Sequence, residues 1–383
     1  MENINLISDL DISGKKVFLR TDYNVPLDGE GNIKDDFRIK ESIPTIKLLL
    51  KKGASQIFIA SHFGRPEGKE AKYRMDIIAE KLFFLLKRKV EKIDEAVDCE
   101  ELLPSPDESR LVLLENLRFY SGETSNEEAF AKSLAGLADV YVNDAFSVCH
   151  REHASVHKIV DFFDDVAIGL LVEKELKAFD LIHSPAHPFY ALIGGSKLET
   201  KLNLISHLGN KVDKILLGGA MIFTFYKAKG LEVGKSVHSD VKNVAQVDQS
   251  NLKLPSDVVL GTSPESTEEL VTKVDNIPAW MMGLDIGPDT IKEFSRDVKK
   301  AKLIVWNGPL GYCENPVYAK GTLSLAKVLA DCDAKVIVGG GDTASVIPAA
   351  LREKFYHIST GGGASLKLLE GTGLPAIIKL ESK

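Results

Sequence analysis

Arginine and histidine follow the short apolar runs in the first half of this chain, and glycine and lysine follow those in the second half. Arg38 lies in DDFRIKES, His62 and Arg65 in SHFGRP after QIFIA, Arg118 in ENLRFY after LVLL, and His150 and Arg151 in CHREHAS after DVYVN. Guanidinium forks match phosphate and carboxylate geometry, so several on neighbouring loops describe an anion site. Any one of them alone would read as a surface ion-pair residue. Asp22 and Asn24, in RTDYNVP, offer groups for a substrate hydroxyl or carboxylate, or simply turn chemistry before Pro26.

The second half carries phosphate-type chemistry. Gly194-Gly195-Ser196-Lys197 follows FYALI, and Lys201 comes one helical turn later. Free amides, a helix dipole and two ammonium groups would converge there on one anion, unless the stretch is only a solvated helix face with Glu199 between the lysines. Gly218-Gly219-Ala220 follows KILL, Gly308-Pro309 follows LIVWN, and Gly339-Gly340-Gly341-Asp342-Thr343 follows KVIV. Glycines let a backbone approach phosphates closely. Asp342 suits the Mg2+ that accompanies them, or serves as an N-cap.

Two look-alikes fail. GLEVGKS (230–236) has three residues between its glycines where a P-loop has four, and it follows a helical pattern. GTGLPA (371–376) mimics a dinucleotide fingerprint with no βαβ unit after it and reads as a turn. Neither a nucleophile elbow nor HExxH occurs. Cys149 beside His150 invites a thiol-catalysis reading, but neighbours on an extended segment point apart.

The elements that must position these residues are continuous apolar strands alternating with amphipathic helices. KVFLR (16–20), QIFIA (56–60), LVLLE (111–115) and DVYVN (139–143) serve the first half. FYALI (189–193), KILL (214–217), DVVL (257–260), LIVW (303–306) and KVIV (335–338) serve the second. Runs apolar on both faces belong to parallel sheets covered by helices, whose ligands bind beyond the strands' carboxyl ends. The expected fold is α/β: two Rossmann-like lobes, each a parallel sheet covered by helices. VAIGLLVEKELKAFDLI (166–182) reads as one connecting helix, entered after acidic DFFDD and ended by HSPAHP.

The 383 residues suffice for two domains, and 44% hydrophobic with 27% charged residues is ordinary globular composition. A net charge of -7 argues against a general nucleic-acid or membrane binder, so the arginines serve something small. The four cysteines show no metal spacing and fit reduced thiols. No leader-like start or long apolar span is seen, so a cytoplasmic monomer is expected.

RTDYNVPL, SHFGRP, ENLRFY, NDAFSVCHREHAS, GGSKLETK, GLDIGP, WNGPLG, AKGT, GGGDT and TGGGASLKLLEG occur here in the order found in phosphoglycerate kinases. From about residue 15 to about residue 375 the chain resembles that family. The resemblance implies 3-phosphoglycerate binding by Asp22, Tyr23, Asn24, Arg38, His62, Phe63, Gly64, Arg65, Arg118 and Arg151 in a lobe spanning 1–165. It implies MgATP or MgADP binding in a lobe spanning 183–365. There Lys201, Gly283, Glu314, Gly340, Gly341, Asp342 and Thr343 would hold the nucleotide, Glu314 at the ribose, with Asp342 on Mg2+. Gly218, Gly219 and Ala220 match the strand end near the adenine pocket. Arg38, Lys197 and the helix start around Gly362 are the implied catalytic groups, and 366–383 the tail that returns to the first lobe.

The reaction implied is reversible phosphoryl transfer between 1,3-bisphosphoglycerate and ADP. Its acceptor carboxylate is already ionised near neutral pH, so no general base is needed. Alignment and charge carry such a reaction, with lobe closure excluding water. A silent binding relative would have lost Arg38, Lys197, Lys201 or Asp342, and all are present. A nicotinamide oxidoreductase would need a glycine fingerprint where the early strands end in Arg and His. Departures from the family are a short GKSVHSDVKNVAQVDQSNLKLP, Tyr312-Cys313 before Glu314, and Cys149, which either sensitises activity to oxidation or packs.

Overall fold

The computed structural model describes residues 4–107 and 109–383. Residues 1–3 and 108 of the expected first lobe lie outside it. The chain divides into two compact units: a first, running through Lys177 and including Gly373–Lys383, and a second, Ala178–Thr372.

The first unit holds β1 (Lys16–Arg20), β2 (Gln56–Ala60), β3 (Glu91–Lys92), β4 (Leu111–Leu113), β5 (Val140–Asn143) and β6 (Asp165–Ile168). They form one six-stranded sheet in the order β3-β4-β2-β1-β5-β6. Every pairing in it is parallel. Val17, Leu19, Ile57, Ile59, Val140 and Val142 are buried in one apolar cluster, where helix Phe37–Lys51 adds Ile39, Ile43, Ile46 and Leu49. Burial on both faces is why these runs read as strands at all.

The second unit contributes β7 (Phe189–Ile193), β8 (Lys214–Leu217), β9 (Leu252–Lys253), β10 (Asp257–Gly261), β11 (Leu270–Lys273), β12 (Met282–Ile286), β13 (Leu303–Asn307), β14 (Lys335–Gly339) and β15 (His357–Ile358). Six of these form a parallel sheet in the order β15-β14-β13-β7-β8-β9. The fold is therefore α/β with two parallel six-stranded sheets.

Three expectations need correction. DVVL does not join the parallel sheet: β10 sits in a separate sheet, β11-β10-β12, with both neighbours antiparallel. The connecting helix does not begin at Val166. Val166, Ala167 and Ile168 are buried and pair with β5 as β6, and the helix spans Leu170–Asp180. The Asp144 carboxylate ends the strand-to-helix turn by accepting the Leu171 amide at 2.9 Å. The helix Gly362–Leu369 belongs to the second unit, so the segment grouped with the first begins at Gly373 rather than 366.

Candidate functional site

In the first unit the strand ends of β1, β2, β4 and β5 feed the predicted cations. Arg38 is the second residue of helix Phe37–Lys51, where a positive charge opposes the helix dipole. It is held there by Asp22 at 3.0 Å and by the Asn24 carbonyl at 2.8 Å. Asp22 is buried and fully engaged. Oδ1 accepts the Asn24 amide at 2.9 Å and faces His62 Nδ1 at 3.6 Å, while Oδ2 accepts the Ser147 hydroxyl as well as pairing with Arg38. Burial alone would raise its pKa, but Arg38 and these donors hold it well below the usual carboxylate range. His62 is pushed the other way, to the neutral form, by burial and by the Arg20, Arg118 and Arg38 charges, with Asp22 opposing.

Arg65, Arg118 and Arg151 line a cleft of about 550 Å³ together with Pro66, Tyr120 and Thr124. Arg118 donates to the Gly64 carbonyl at 2.6 Å and Arg151 to His150 Nε2 at 3.1 Å, neither of them a carboxylate. Burial and the neighbouring Arg151 and Arg20 charges pull Arg118 down to about 10. Arg118, destabilised as a cation in this way, is most stable with an anion beside it.

Tyr23, Phe63 and Gly64 are present at the site as framework. The Tyr23 ring is in the core with its hydroxyl 3.0 Å from that of Ser42, and its amide donates to Ser61 Oγ at 2.7 Å. The Phe63 amide goes to Asn116 Oδ1 at 3.1 Å and the Gly64 amide to Asn24 Oδ1 at 2.9 Å. Their hydrogen-bonding groups are thus largely spent inside the protein. Cys149 is fully buried, its thiol pushed up to about 12 by burial, so the packing alternative describes it.

One functional-looking residue escaped the sequence reading. Arg20, the last residue of β1, is fully buried, donates to Ser155 Oγ at 2.7 Å and lies 3.7 Å from buried Glu123. Its Nη2 is 3.4 Å from His62 Nδ1, placing a fixed charge directly behind the site. The available signal was a cation closing a strand that is apolar on both faces.

The second unit gathers its glycines at the switch point of the parallel sheet, where β7 lies between β13 and β8. A Cβ at Gly194 would stand 1.9 Å from the Pro309 carbonyl oxygen, so the chains leaving β7 and β13 touch backbone to backbone. Gly219 donates to the Leu310 carbonyl at 2.8 Å, and Gly218 to Ile193 at 2.9 Å. Lys197 is exposed on extended backbone ahead of a 3-10 turn, Leu198–Lys201. That turn corrects the expectation of one lysine face: with three residues per turn, a four-residue spacing rotates the side chains by about 120°. Lys201 instead turns inward to Asn307 Oδ1, and burial lowers its pKa, with Asp342 and Glu370 opposing. Glu199 turns aside to the Ser239 hydroxyl.

Gly340 caps helix Gly341–Val346, which exposes Asp342 in its first turn. A Cβ at Gly362 would lie 2.9 Å from the Gly341 nitrogen, so the start of helix Gly362–Leu369 adjoins it. Thr343 is buried, and its hydroxyl accepts the Gly308 amide at 2.7 Å, which makes it a fastener between two strand-end loops. Gly283 lies under the Phe223 ring with its amide on Ser236 Oγ at 2.9 Å, whereas Glu314 is exposed on the loop after β13. Among the described residues no group of three or more His, Cys, Asp or Glu could hold a metal. Mg2+ needs only one or two carboxylates when substrate phosphates supply the rest, so exposed Asp342 fits it. No described helix is long and apolar enough to cross a membrane.

Two α/β units, one gathering guanidinium groups at its strand ends and the other glycines and lysines, define a phosphotransferase that works without a P-loop. The family model for phosphoglycerate kinase matches residues 7–372, and the chain belongs to that family. It is 46% identical to a phosphoglycerate kinase of Trichodesmium erythraeum over 98% of each chain. It is 43% identical to the cytosolic phosphoglycerate kinase 3 of Arabidopsis thaliana, covering 99% of this chain and 98% of that one. The solved structure of phosphoglycerate kinase from Coxiella burnetii superposes with a TM-score of 0.86 at 34% identity, over 99% of each chain. The activity is accordingly glycolytic and gluconeogenic: a carboxyl-group phosphotransferase interconverting 1,3-bisphosphoglycerate and ADP with 3-phosphoglycerate and ATP.

Proposed function

We propose that the first unit binds the phosphoglycerate and the second the nucleotide. The observation that carries this is the cleft that Arg65, Arg118 and Arg151 line together, where burial and the Arg151 and Arg20 charges depress Arg118. The phosphate of 3-phosphoglycerate lies among those three, and its carboxylate end is directed toward Arg38, whose orientation Asp22 and Asn24 fix. His62, neutral, serves as a hydrogen-bonding partner rather than a cation. In the second unit Lys201, Gly340, Gly341, Thr343 and the loop bearing Glu314 hold ATP or ADP, with Gly283 in the wall. Asp342 supplies the protein's ligand to Mg2+, which offsets phosphate charge when bound.

Chemistry then needs little from proton transfer. The carboxylate attacks as it stands, and the charge of the transferring group is met by Arg38, Lys197 and the amides at Gly362. Donor and acceptor are held by different units, so closure of the molecule precedes transfer and removes water that would hydrolyse the acyl phosphate. The enzyme works as a monomer in the cytoplasm on this reading.

The test is Mg2+-dependent phosphorylation of 3-phosphoglycerate by ATP, coupled to NADH oxidation. Arg38→Ala should lower kcat by about 10²–10³, as removal of a preorganised charge does, with MgADP affinity nearly unchanged. Near-normal turnover in that variant would remove Arg38 from the mechanism.

A further inference from the structure

One buried carboxylate in the second unit has no part in the chemistry above. Asp285, in β12, is 4% exposed. Its Oδ2 accepts the Gly321 amide at 2.7 Å, at the start of helix Lys320–Ala330, and its Oδ1 accepts the Ile286 amide at 2.9 Å. A Cβ at Gly311 would stand 2.3 Å from Oδ1 and one at Gly321 2.4 Å, so the carboxylate occupies a slot between two glycines.

Gly311 opens the loop that carries Glu314, and that loop is fastened to the same two elements. The Tyr312 amide donates to the Leu284 carbonyl at 2.7 Å. The Leu310 amide reaches Thr322 Oγ1 at 2.9 Å, and the Cys313 thiol reaches the same hydroxyl at 3.3 Å. Strand β12, which bears Gly283, the loop and the helix start thus share one buried anchor.

We propose that Asp285 is a positioning residue for the nucleotide: as a carboxylate, and only so, it sets the Glu314 loop against β12. The inference rests on the reading of Gly283 and Glu314 as nucleotide contacts. Two carboxylate oxygens satisfy two N–H donors, whereas in the neutral acid one oxygen becomes a donor that neither amide can accept. The charged or titratable groups around it are Lys320 on the helix, Glu269 ahead of β11 (paired with Lys320 at 2.7 Å), and Cys313 and Glu314 on the loop. Burial pushes Asp285 up to about 7, the two amides and Lys320 opposing and Glu269 reinforcing. The anchor therefore weakens as pH falls through that value.

Calorimetric titration of the intact protein with MgADP at pH 6, 7 and 8 tests this, with the variants Asp285→Asn and Glu314→Gln. Comparing each variant with the wild type at the same pH cancels the nucleotide's own ionisation. Asp285→Asn should weaken binding about tenfold at pH 8, the loss of one charge-assisted hydrogen bond, and the ratio should fall toward one at pH 6. KM for 3-phosphoglycerate should not move. Equal ratios at pH 6 and 8, or wild-type affinity at pH 8, overturn the proposal if Glu314→Gln still weakens binding. Wild-type affinity in Glu314→Gln removes the nucleotide reading of the loop and the proposal with it. Should Asp285→Asn not fold, Lys320→Ala, at an exposed position, removes a cation that favours the carboxylate and should shift the weakening to higher pH. An unmoved profile in that variant also overturns the idea.

Discussion

Asp22 and Asp144 stand on neighbouring strand ends, both fully enclosed, yet their charges have opposite fates. Asp22 is ionised because Arg38 and its hydrogen-bond donors outweigh burial. Its stabilisation is present above the unfolded carboxylate pKa near ~4 and is lost in acid. No cation pairs with Asp144 among the described residues, and burial raises it to about 7 despite Thr45 and the Leu171 and Val172 amides. The unfolded chain then ionises first, so stability falls as pH rises from ~4 toward 7. Asp144→Asn keeps an acceptor for the Leu171 amide and has no proton to lose. Its melting temperature should match or exceed the wild type's at pH 8, with a flatter profile between pH 5 and 8. A profile as steep as the wild type's would show that another group is responsible. At this scale the cleft was legible, because Arg65, Arg118 and Arg151 each close a recognisable motif. Arg20 was not: Glu123 and Ser155, which hold it, are remote in sequence. Nor could a sequence show that Tyr23, Phe63 and Thr343 spend their polar groups inside the protein.

Among the elements, strands apolar on both faces were legible and those with a polar or mixed pattern were not. LVTK in β11 is largely exposed, and MGLDI in β12 mixes small and charged residues, so the antiparallel sheet left no clear trace. β6 was concealed by running straight into a helix of similar composition. The final segment offers a sharper test of how elements cooperate. In Gly373–Lys383 the residues Leu374, Ala376, Ile377 and Leu380 are buried. Ala376 donates to the Cys149 carbonyl at 3.1 Å, and Lys379 pairs with Asp161 at 2.5 Å. Each large apolar side chain contributes roughly 1.5–3 kcal/mol. Truncation after Thr372 should therefore lower the unfolding temperature of the first unit and raise KM for 3-phosphoglycerate, leaving MgADP affinity intact. An unaffected phosphoglycerate KM would separate this segment from the substrate site.

For the molecule as a whole, the reading of two substrates on two units demands motion. Small-angle scattering with 3-phosphoglycerate and an unreactive MgATP analogue together should give a smaller radius of gyration than with either alone. Identical curves would refute closure as the gate. The division of the chain carries a different consequence, for biosynthesis. The second unit is a continuous stretch, Ala178–Thr372, inserted into a first unit that also includes Gly373–Lys383. A ribosome therefore delivers a complete second unit while the first unit, begun earlier, still waits for Gly373–Lys383. The unit begun first is completed after the second, and a chain cut after Thr372 leaves the first unit unfinished and the second whole.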